Sequence, residues 1–551
     1  MSRPSTRSLL ARVALVAAAS GVSTTAAGAQ SAHAAPVTSA TPTSQAAPPV
    51  ASAGNVVTGV AIKRENVFDG SENATWIAKG ANALHIVTRD YVVRRELLIA
   101  EGAVFDSATA DETARNLRKL GIFRDVTVDS ARTAAGIEQQ VTTHDAWSTM
   151  LYVSFKTVGD QVTWGVGVTE KNLLGSQIKT SIRYTKDPDR STTQFTANVP
   201  RVWNLLGFDL NYNQLSDGKT SRFTASSPFT TTTTPRSATL DLEYQDKDVL
   251  RFFEGEEVAS DTLRRLLTRG TLNAAWATKA SRLGFFRIGT SLQARREDFG
   301  DSATIASSER SVYGEFGVNV EASEAKFKVI RGFRTLNSNE DVDVSRTLRG
   351  ELWVAPNIWG YDRFGLGPGL TAHVGKLIPN GFTTVDVRAT SLFTNAGLDS
   401  GSVTGKAILA LQRGTRHAVI VNLSGGMQKN PYPGEEFDLG LTYGPRGYPV
   451  HAFTGDRSFF TMAEYRWVAL PKVYDLFAVG LATFIDYGGA WYNGSPKRTG
   501  ADTGAGLRIG SIRSSSGKGA ARIDLVYRFA NDVFGDGWLI TLGSGFPFDR
   551  L

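Results

Sequence analysis

From Met150 to Leu551 apolar and polar residues alternate with a period of two, run after run. Ile178, Thr180, Ile182 and Tyr184 alternate with Lys179, Ser181 and Arg183; Leu240, Leu242 and Tyr244 with Asp241, Glu243 and Gln245; Ile523, Leu525, Tyr527 and Phe529 with Arg522, Asp524 and Arg528. Successive side chains of a strand point to opposite faces, so each run has one greasy and one polar face. A sandwich must keep its inner faces dry, whereas a barrel around an aqueous lumen tolerates this polarity, and the pattern predicts an all-β transmembrane barrel of antiparallel strands. At roughly twenty-five residues per strand and connection, the length predicts about sixteen strands, an even number as bacterial barrels require. The polar stretches Asp187–Thr192, Ser216–Arg236 and Glu254–Arg269 then read as extracellular loops. Trp164, Trp203, Trp359, Trp467, Trp491 and Trp538 suit girdles at the two membrane interfaces, though each can equally be plain packing. The last strand turns Trp538, Ile540, Leu542 and Phe546 outward and stops at Phe546-Pro547-Phe548.

Residues 56–147 follow another pattern. Val57 to Ile62 alternates like a strand, and Asp90 caps a predicted helix through Val93, Leu97 and Leu98 that Gly102 ends. Thr109-Ala110-Asp111-Glu112 has capping-box spacing, Ala114, Leu117 and Leu120 share one stripe, and Gly121 is the stop. Two short strands, Phe123–Asp129 and Ile137–Thr143, complete a small α+β domain in the order β-α-α-β-β; Ser71–Ala83, with Trp76, reads as an insertion after its first strand. This order, with the phrase from Arg115 through Leu117, Leu120 and Gly121 to Phe123, resembles a POTRA domain, the periplasmic module that carries polypeptide to outer-membrane barrels. A generic α+β domain is the alternative.

The chain's beginning bears on compartment. Arg3, Arg7 and Arg12 accompany Leu9-Leu10-Ala11 and Val13 to Ala19, and small residues at Ala27-Gly28-Ala29 offer a cleavage site, which predicts a signal peptide over residues 1–29; Ala32-His33-Ala34 would move the cut to 34. That apolar stretch is short of the ~20 residues a spanning helix needs. Residues 30–55, rich in Ala, Pro, Ser and Thr, cannot bury a core and read as a linker, and residues 150–551 are left to the barrel.

Composition narrows the chemistry. The 551 residues include no Cys, which removes disulfide scaffolds, thiol catalysis and Cys-ligated zinc. Hydrophobic content is 41%, and no later apolar run suits a helical span; barrels look this moderate because lipid-facing and lumen-facing residues alternate. The net charge of +7 goes with no basic run or aromatic-basic module, so lumen lining and loops facing anionic lipid are its expected uses, not nucleic acid. The six His have no metal-ligand spacing, and no Gly-x-Ser-x-Gly or Gly-x-x-x-x-Gly-Lys motif occurs. No catalytic residue, metal or cofactor is expected.

The motif that carries most is Arg446-Gly447-Tyr448-Pro449, followed by the run Phe484-Ile485-Asp486-Tyr487-Gly488. In Phe477 to Tyr487, alternation places Phe477, Val479, Leu481, Ile485 and Tyr487 on one face and Ala478, Gly480, Ala482, Phe484 and Asp486 on the other; upstream, Phe460, Met462, Glu464 and Arg466 oppose Phe459, Ala463, Tyr465 and Trp467. Taken apart, these are a hairpin turn and chance buried acids. Taken together, an arginine in a Gly/Pro-bounded loop and a carboxylate on a later strand can lock that loop inside a pore.

With the signal, the POTRA-like domain and the terminal barrel, these paired motifs resemble the bacterial surface antigen family, part of the superfamily of BamA/TamA-like barrel assembly factors and two-partner secretion transporters. The resemblance implies that the Arg-Gly-Tyr segment belongs to a long sixth extracellular loop folded into the lumen. There Arg446 pairs with Asp486 and Glu464, and Phe484 and Gly488 frame the acid. It implies that the C-terminal aromatics Trp538, Phe546 and Phe548 act as the barrel's own insertion signal. Only one POTRA is visible, where general assembly factors carry several. The expected function is an outer-membrane barrel, its POTRA in the periplasm, assisting insertion or export of unfolded outer-membrane or secreted polypeptides beside outer-membrane lipid. The client would join the POTRA by β-augmentation, and the seam near Val162–Thr169 and Trp538–Phe546 would part. The alternative is a passive or gated pore for small solutes.

Overall fold

The computed structural model describes residues 55–544 apart from 69–78, 80–81, 84, 159–160, 203–205, 230–233, 282, 301–309, 335, 338, 361–362, 441–442, 474–476 and 512–519. The signal and linker, most of Ser71–Ala83, Trp203, and Phe546 and Phe548 therefore lie outside the described residues. The chain divides into two compact units, the first running to Trp147 and including Leu174–Ser176, the second made of Ser148–Leu173 and the residues from Gln177 on.

The first unit runs strand Val57–Glu65, helix Asp90–Arg94, helix Ser107–Lys119, strand Phe123–Thr133, strand Gly136–Asp145. The last strand is the middle of the sheet, parallel to the first and antiparallel to its predecessor. Val92, Val93, Leu117, Ile122, Val126 and Val141 are buried together beneath the helices, each worth roughly 1.5–3 kcal/mol on removal from water. Two local expectations need correction. The longer helix starts earlier than its capping-box spacing suggests: Asp106, not Thr109, is the cap, its carboxylate accepting from the Thr109 N–H at 3.0 Å. The shorter helix ends at Arg94 rather than running past Leu98, because Glu96 and Leu97 donate to Val93 and Arg94, three residues back, and the turn tightens.

The second unit is a closed antiparallel barrel of twenty strands, from Thr149–Val158 to Gly537–Ser544, each paired with its neighbours in chain order. Alternation sets its two faces. In Phe477–Trp491 the side chains of Phe477, Leu481, Ile485 and Tyr487 are exposed on the outside, while Ala478, Ala482, Phe484 and Asp486 are buried within. The expected sixteen strands fall short because strands and connections take about twenty residues each, not twenty-five. Ser216–Arg236, read as a loop, contains the strand Gly218–Ser227, whose Ser and Thr residues hide its alternation. Glu254–Arg269 likewise includes the start of Leu263–Ser281. The first strand is Thr149–Val158, so Val162–Thr169, expected at the seam, belongs to the second strand, Gln161–Leu173.

Because the strands alternate in direction, connections after odd-numbered strands lie at one mouth, the far one, and those after even-numbered strands at the near mouth, where the chain enters at Thr149. The Arg446 segment joins the fifteenth strand, His417–Lys429, to the sixteenth, Arg457–Val473. It is thus the eighth far-mouth connection rather than the sixth. Five strands follow it, as five would follow the sixth loop of a sixteen-strand barrel, so the four additional strands lie before it.

The lumen is not an open tube. The far-mouth segment 430–456 folds inward and buries Leu439, Tyr448 and Phe453 against the wall residues Phe382, Ile420, Phe460 and Met462. From the near mouth, the connection between the tenth and eleventh strands forms a hairpin, Phe327–Arg331 with Asn339–Asp343, and inserts Phe333 edge-on against Phe382 at 4.9 Å. Leu336 of the same hairpin packs on Val468 and Ala478. Between the two segments remains a cavity of about 1170 Å³ lined on the wall by His373, Asp386, Arg388 and Lys406. Such a barrel satisfies its backbone internally and resists detergent until heated, so folded and boiled samples should differ in electrophoretic mobility; identical mobility of properly refolded material would count against it.

Candidate functional site

The site is where the far-mouth segment meets the sixteenth to nineteenth strands. Arg446 is fully buried. Its Nε and NH2 donate to the two carboxylate oxygens of Asp486 at 2.7 and 2.9 Å, a two-pronged pairing that only a guanidinium provides. NH1 donates to Glu464 Oε2 at 2.7 Å, and the guanidinium lies 3.5 Å over the Phe484 ring. Asp486 and Glu464 stand on adjacent paired strands, Met462 opposite Asp486 and Glu464 opposite Phe484, so one register fixes acids and ring together.

The next two residues extend the contact along the wall. The Gly447 N–H donates to Asp502 Oδ2 at 2.8 Å on the eighteenth strand, Gly500–Ser511. The Tyr448 hydroxyl donates to the Phe529 carbonyl at 2.8 Å and accepts from the Ala501 N–H at 3.1 Å. Tyr448 fits because Gly500 has no side chain: a Cβ there would lie 2.2 Å from the ring. Gly488 serves the wall itself, since a Cβ would lie 2.4 Å from the Phe459 carbonyl oxygen. Pro449 fixes φ where the chain leaves this contact.

Behind Arg446 the charges continue. Glu464 also accepts from Arg466 Nε at 2.6 Å and from Arg508 NH2 at 3.3 Å, and Arg508 pairs with Asp524. Arg446, Arg466, Arg508 and Arg522 thus face Glu464, Asp486, Asp502 and Asp524, four guanidinium groups to four carboxyl groups, all buried. Arg466 in addition donates NH1 to the Phe333 carbonyl at 2.7 Å, so the near-mouth hairpin is joined to the same cluster. The sequence reading named Arg446, Asp486 and Glu464 and missed Asp502, Arg508 and Asp524; inward alternation in Arg522 to Arg528 was the available signal for Asp524. Trp538 lies apart on the last strand, exposed and edge-on to Tyr527 at 5.1 Å.

Beyond Pro449, His451 sits between two carboxylates. Its Nε2 meets Asp189 at 2.8 Å, its Nδ1 side faces Asp438, and its ring stacks on Phe252 with centroids 3.6 Å apart. Burial pulls its pKa down, but the bonds to Asp189 and Asp438 outweigh that and hold it at about 9.

No protein-family model matches the chain. Its structure is similar to that of BamA from Haemophilus ducreyi lacking POTRA domains 1–3, at 12% identity over 88% of this chain and 84% of that one, with a TM-score of 0.43. It is similar to CdiB from Escherichia coli at 11% identity, 89% and 77% coverage and a TM-score of 0.45, and to CdiB from Acinetobacter baumannii at 11%, 89% and 74%, and 0.40. At such identities and scores, a functional assignment has to stand on this chain's own residues.

Two outcomes follow. Removing one member of a buried ion pair strands the other, at a cost of about 3–5 kcal/mol. Arg446→Ala should release the segment to proteolysis while the barrel stays folded. Asp486→Ala should do so less, since Glu464 still holds the guanidinium, and the double variant should match Arg446→Ala rather than sum the two. Full additivity, or a protease-resistant segment in both single variants, would break this account. Second, His451 has a folded pKa of about 9 against an ordinary 6.5, so its protonated form stabilises the docked segment fully below pH 6.5. That contribution, up to about 3 kcal/mol, is lost as pH rises through 9. Protease sensitivity near His451 should therefore rise between pH 7 and 10, and His451→Gln should abolish the change.

Proposed function

We infer that this chain is an outer-membrane barrel that assists insertion or export of polypeptides, its first unit a POTRA-like periplasmic domain that captures the client. The observation that carries the reading is a barrel filled from both mouths by its own segments, with Arg446 of the far-mouth segment bound on the wall by Asp486 and Glu464. A pore for small solutes needs a continuous water path through the middle. With the lumen occupied, the wall between the last and first strands is the route this reading leaves to an extended client, which would pair there with a strand edge.

The first unit suits capture. The outer strand Phe123–Thr133 pairs on one side only, with Gly136–Asp145, and so presents an edge to which an extended client can add by main-chain hydrogen bonds, whereas the outer edge of Val57–Glu65 is already taken at Val57 by Gly102 and Ala103. The mechanism involves no bond-making chemistry. Client energy comes from satisfied backbone groups and from apolar side chains reaching lipid as the strand enters the wall.

The test is an outer-membrane proteome with and without this protein, together with rescue by a chain lacking residues 56–147. Loss of particular barrel or secreted proteins on deletion, with no rescue by the truncated chain, is expected. A proteome unchanged while only small-solute permeability moves would favour the pore, and full rescue by the truncated chain would remove client capture by the first unit.

A further inference from the structure

A second, smaller cavity of about 190 Å³ lies at the far mouth, between the end of the seventh strand, Arg236–Val249, the connection that follows it and the far-mouth segment. Alternation points Lys247 into it: Asp241 is buried on the same inward face, while Leu240 and Leu242 are exposed on the outside. The segment approaches this wall closely because Gly434, at φ +80°, has no side chain; a Cβ there would lie 2.5 Å from Val249 Cγ1. Further along, the Val450 N–H donates to Gln161 Oε1 at 2.9 Å and the Thr454 hydroxyl to the Phe252 carbonyl at 2.9 Å, so the segment is seated on both sides of His451.

Charge around this cavity is paired off with one exception. Arg251 holds Glu436 at 2.8 Å, Arg264 holds Asp248 at 3.0 Å, and His451 takes Asp189 at 2.8 Å together with Asp438, so every carboxylate of the lining has its cation. Arg190 holds Asp217 at 2.8 Å, and Arg265 holds Glu297 at 2.6 Å and Glu435 at 3.3 Å. Lys247 has no hydrogen-bond or ion-pair partner among the described residues, and Arg190 and Arg265 repel its ammonium more strongly than Asp217 and Glu243 attract it. A half-buried ammonium among repelling charges is costly unless something negative sits against it. The cavity has room for that: one water needs ~10–15 Å³ of such volume, so roughly a dozen would fit, or one small anion with part of its hydration. Tyr492, whose hydroxyl oxygen accepts from Arg251 NH2 at 3.4 Å, keeps its own proton to donate into the same space.

We propose that this cavity binds one small oxyanion, a phosphate or carboxylate group, with Lys247 supplying the charge and Tyr492 and the edges of Arg190 and Arg251 the directed hydrogen bonds. Several oxygens on one centre suit donors that come from separate walls, whereas a lone halide leaves most of them unmet. Lys247 faces the lumen and the wall stands between it and the lipid, so the group arrives from the aqueous solution at the far mouth and not on a membrane headgroup. Bound there, it lies against the seventh strand and beside Glu436 and His451 of the segment, and it completes the charge balance of the segment's seat. The site does not depend on whether the barrel inserts polypeptides or passes solutes.

The test is calorimetric titration of the full chain, refolded in uncharged detergent so that no headgroup supplies the anion, with inorganic phosphate and separately with acetate. Sodium chloride holds the ionic strength constant and serves as the halide competitor. One equivalent of phosphate or acetate should bind saturably, and the tighter of the two names the group. Lys247→Gln should weaken binding about tenfold or more, as expected for loss of one charge-assisted hydrogen bond, and Arg388→Gln, a cation of the larger cavity, should leave it unchanged. Heat-modifiable mobility gives a second reading. Without phosphate the ammonium is unpaired, so Lys247→Gln should unfold at a temperature no lower than the unsubstituted protein; with phosphate only the unsubstituted protein should shift upward. Lys247→Ala serves if Lys247→Gln does not fold. No saturable binding of either oxyanion against chloride, or binding undiminished in a folded Lys247 variant, overturns the site.

Discussion

A guanidinium taken wholly out of water must find its counter-charges in place, and the rest of this barrel is arranged so that Arg446 does. Its two acids sit on neighbouring strands in a fixed register, its flat face is covered by Phe484, and the acids are in turn balanced by Arg466 and Arg508. Each charge in the group is tolerable only because the others are present. The cluster therefore behaves as one unit, and the register of the wall, the depth of the far-mouth segment and the position of the near-mouth hairpin all follow from it.

The wall gives up side chains where the segment must approach. Gly500 makes room for Tyr448, and the bonds made there use backbone groups of Ala501 and Phe529. Docking by main chain on a glycine-poor alternative would fail for lack of space, not of affinity. The same trade explains the eighteenth strand, whose repeated glycines weaken it as a strand and suit it as a bed.

Alternation made the inner faces legible. Asp486 and Glu464 follow directly from the period of two, as do the exposed Ile485 and Tyr487. Three things escaped that reading, each for a physical reason. Asp502 lies in a strand so rich in glycine that no apolar partner face marks it. Gln161 binds a backbone N–H, and residue 450 carries no sign of that bond because every non-proline residue has such a donor. The strand count fell short because polar strands such as Gly218–Ser227 turn Ser and Thr inward and few apolar residues outward, and so read as loop. The near-mouth hairpin was hidden by the opposite effect: Val342 and Val344 have the composition of wall, and only the tertiary structure folds them inside.

That hairpin changes what kind of barrier the lumen forms. Plugs entering from opposite mouths obstruct the lumen at both ends, yet they are not independent: Arg466 holds the Phe333 carbonyl of one and shares Glu464 with Arg446 of the other. Displacing either one loosens the seat of its neighbour, so the two work as interlocked doors with a common latch.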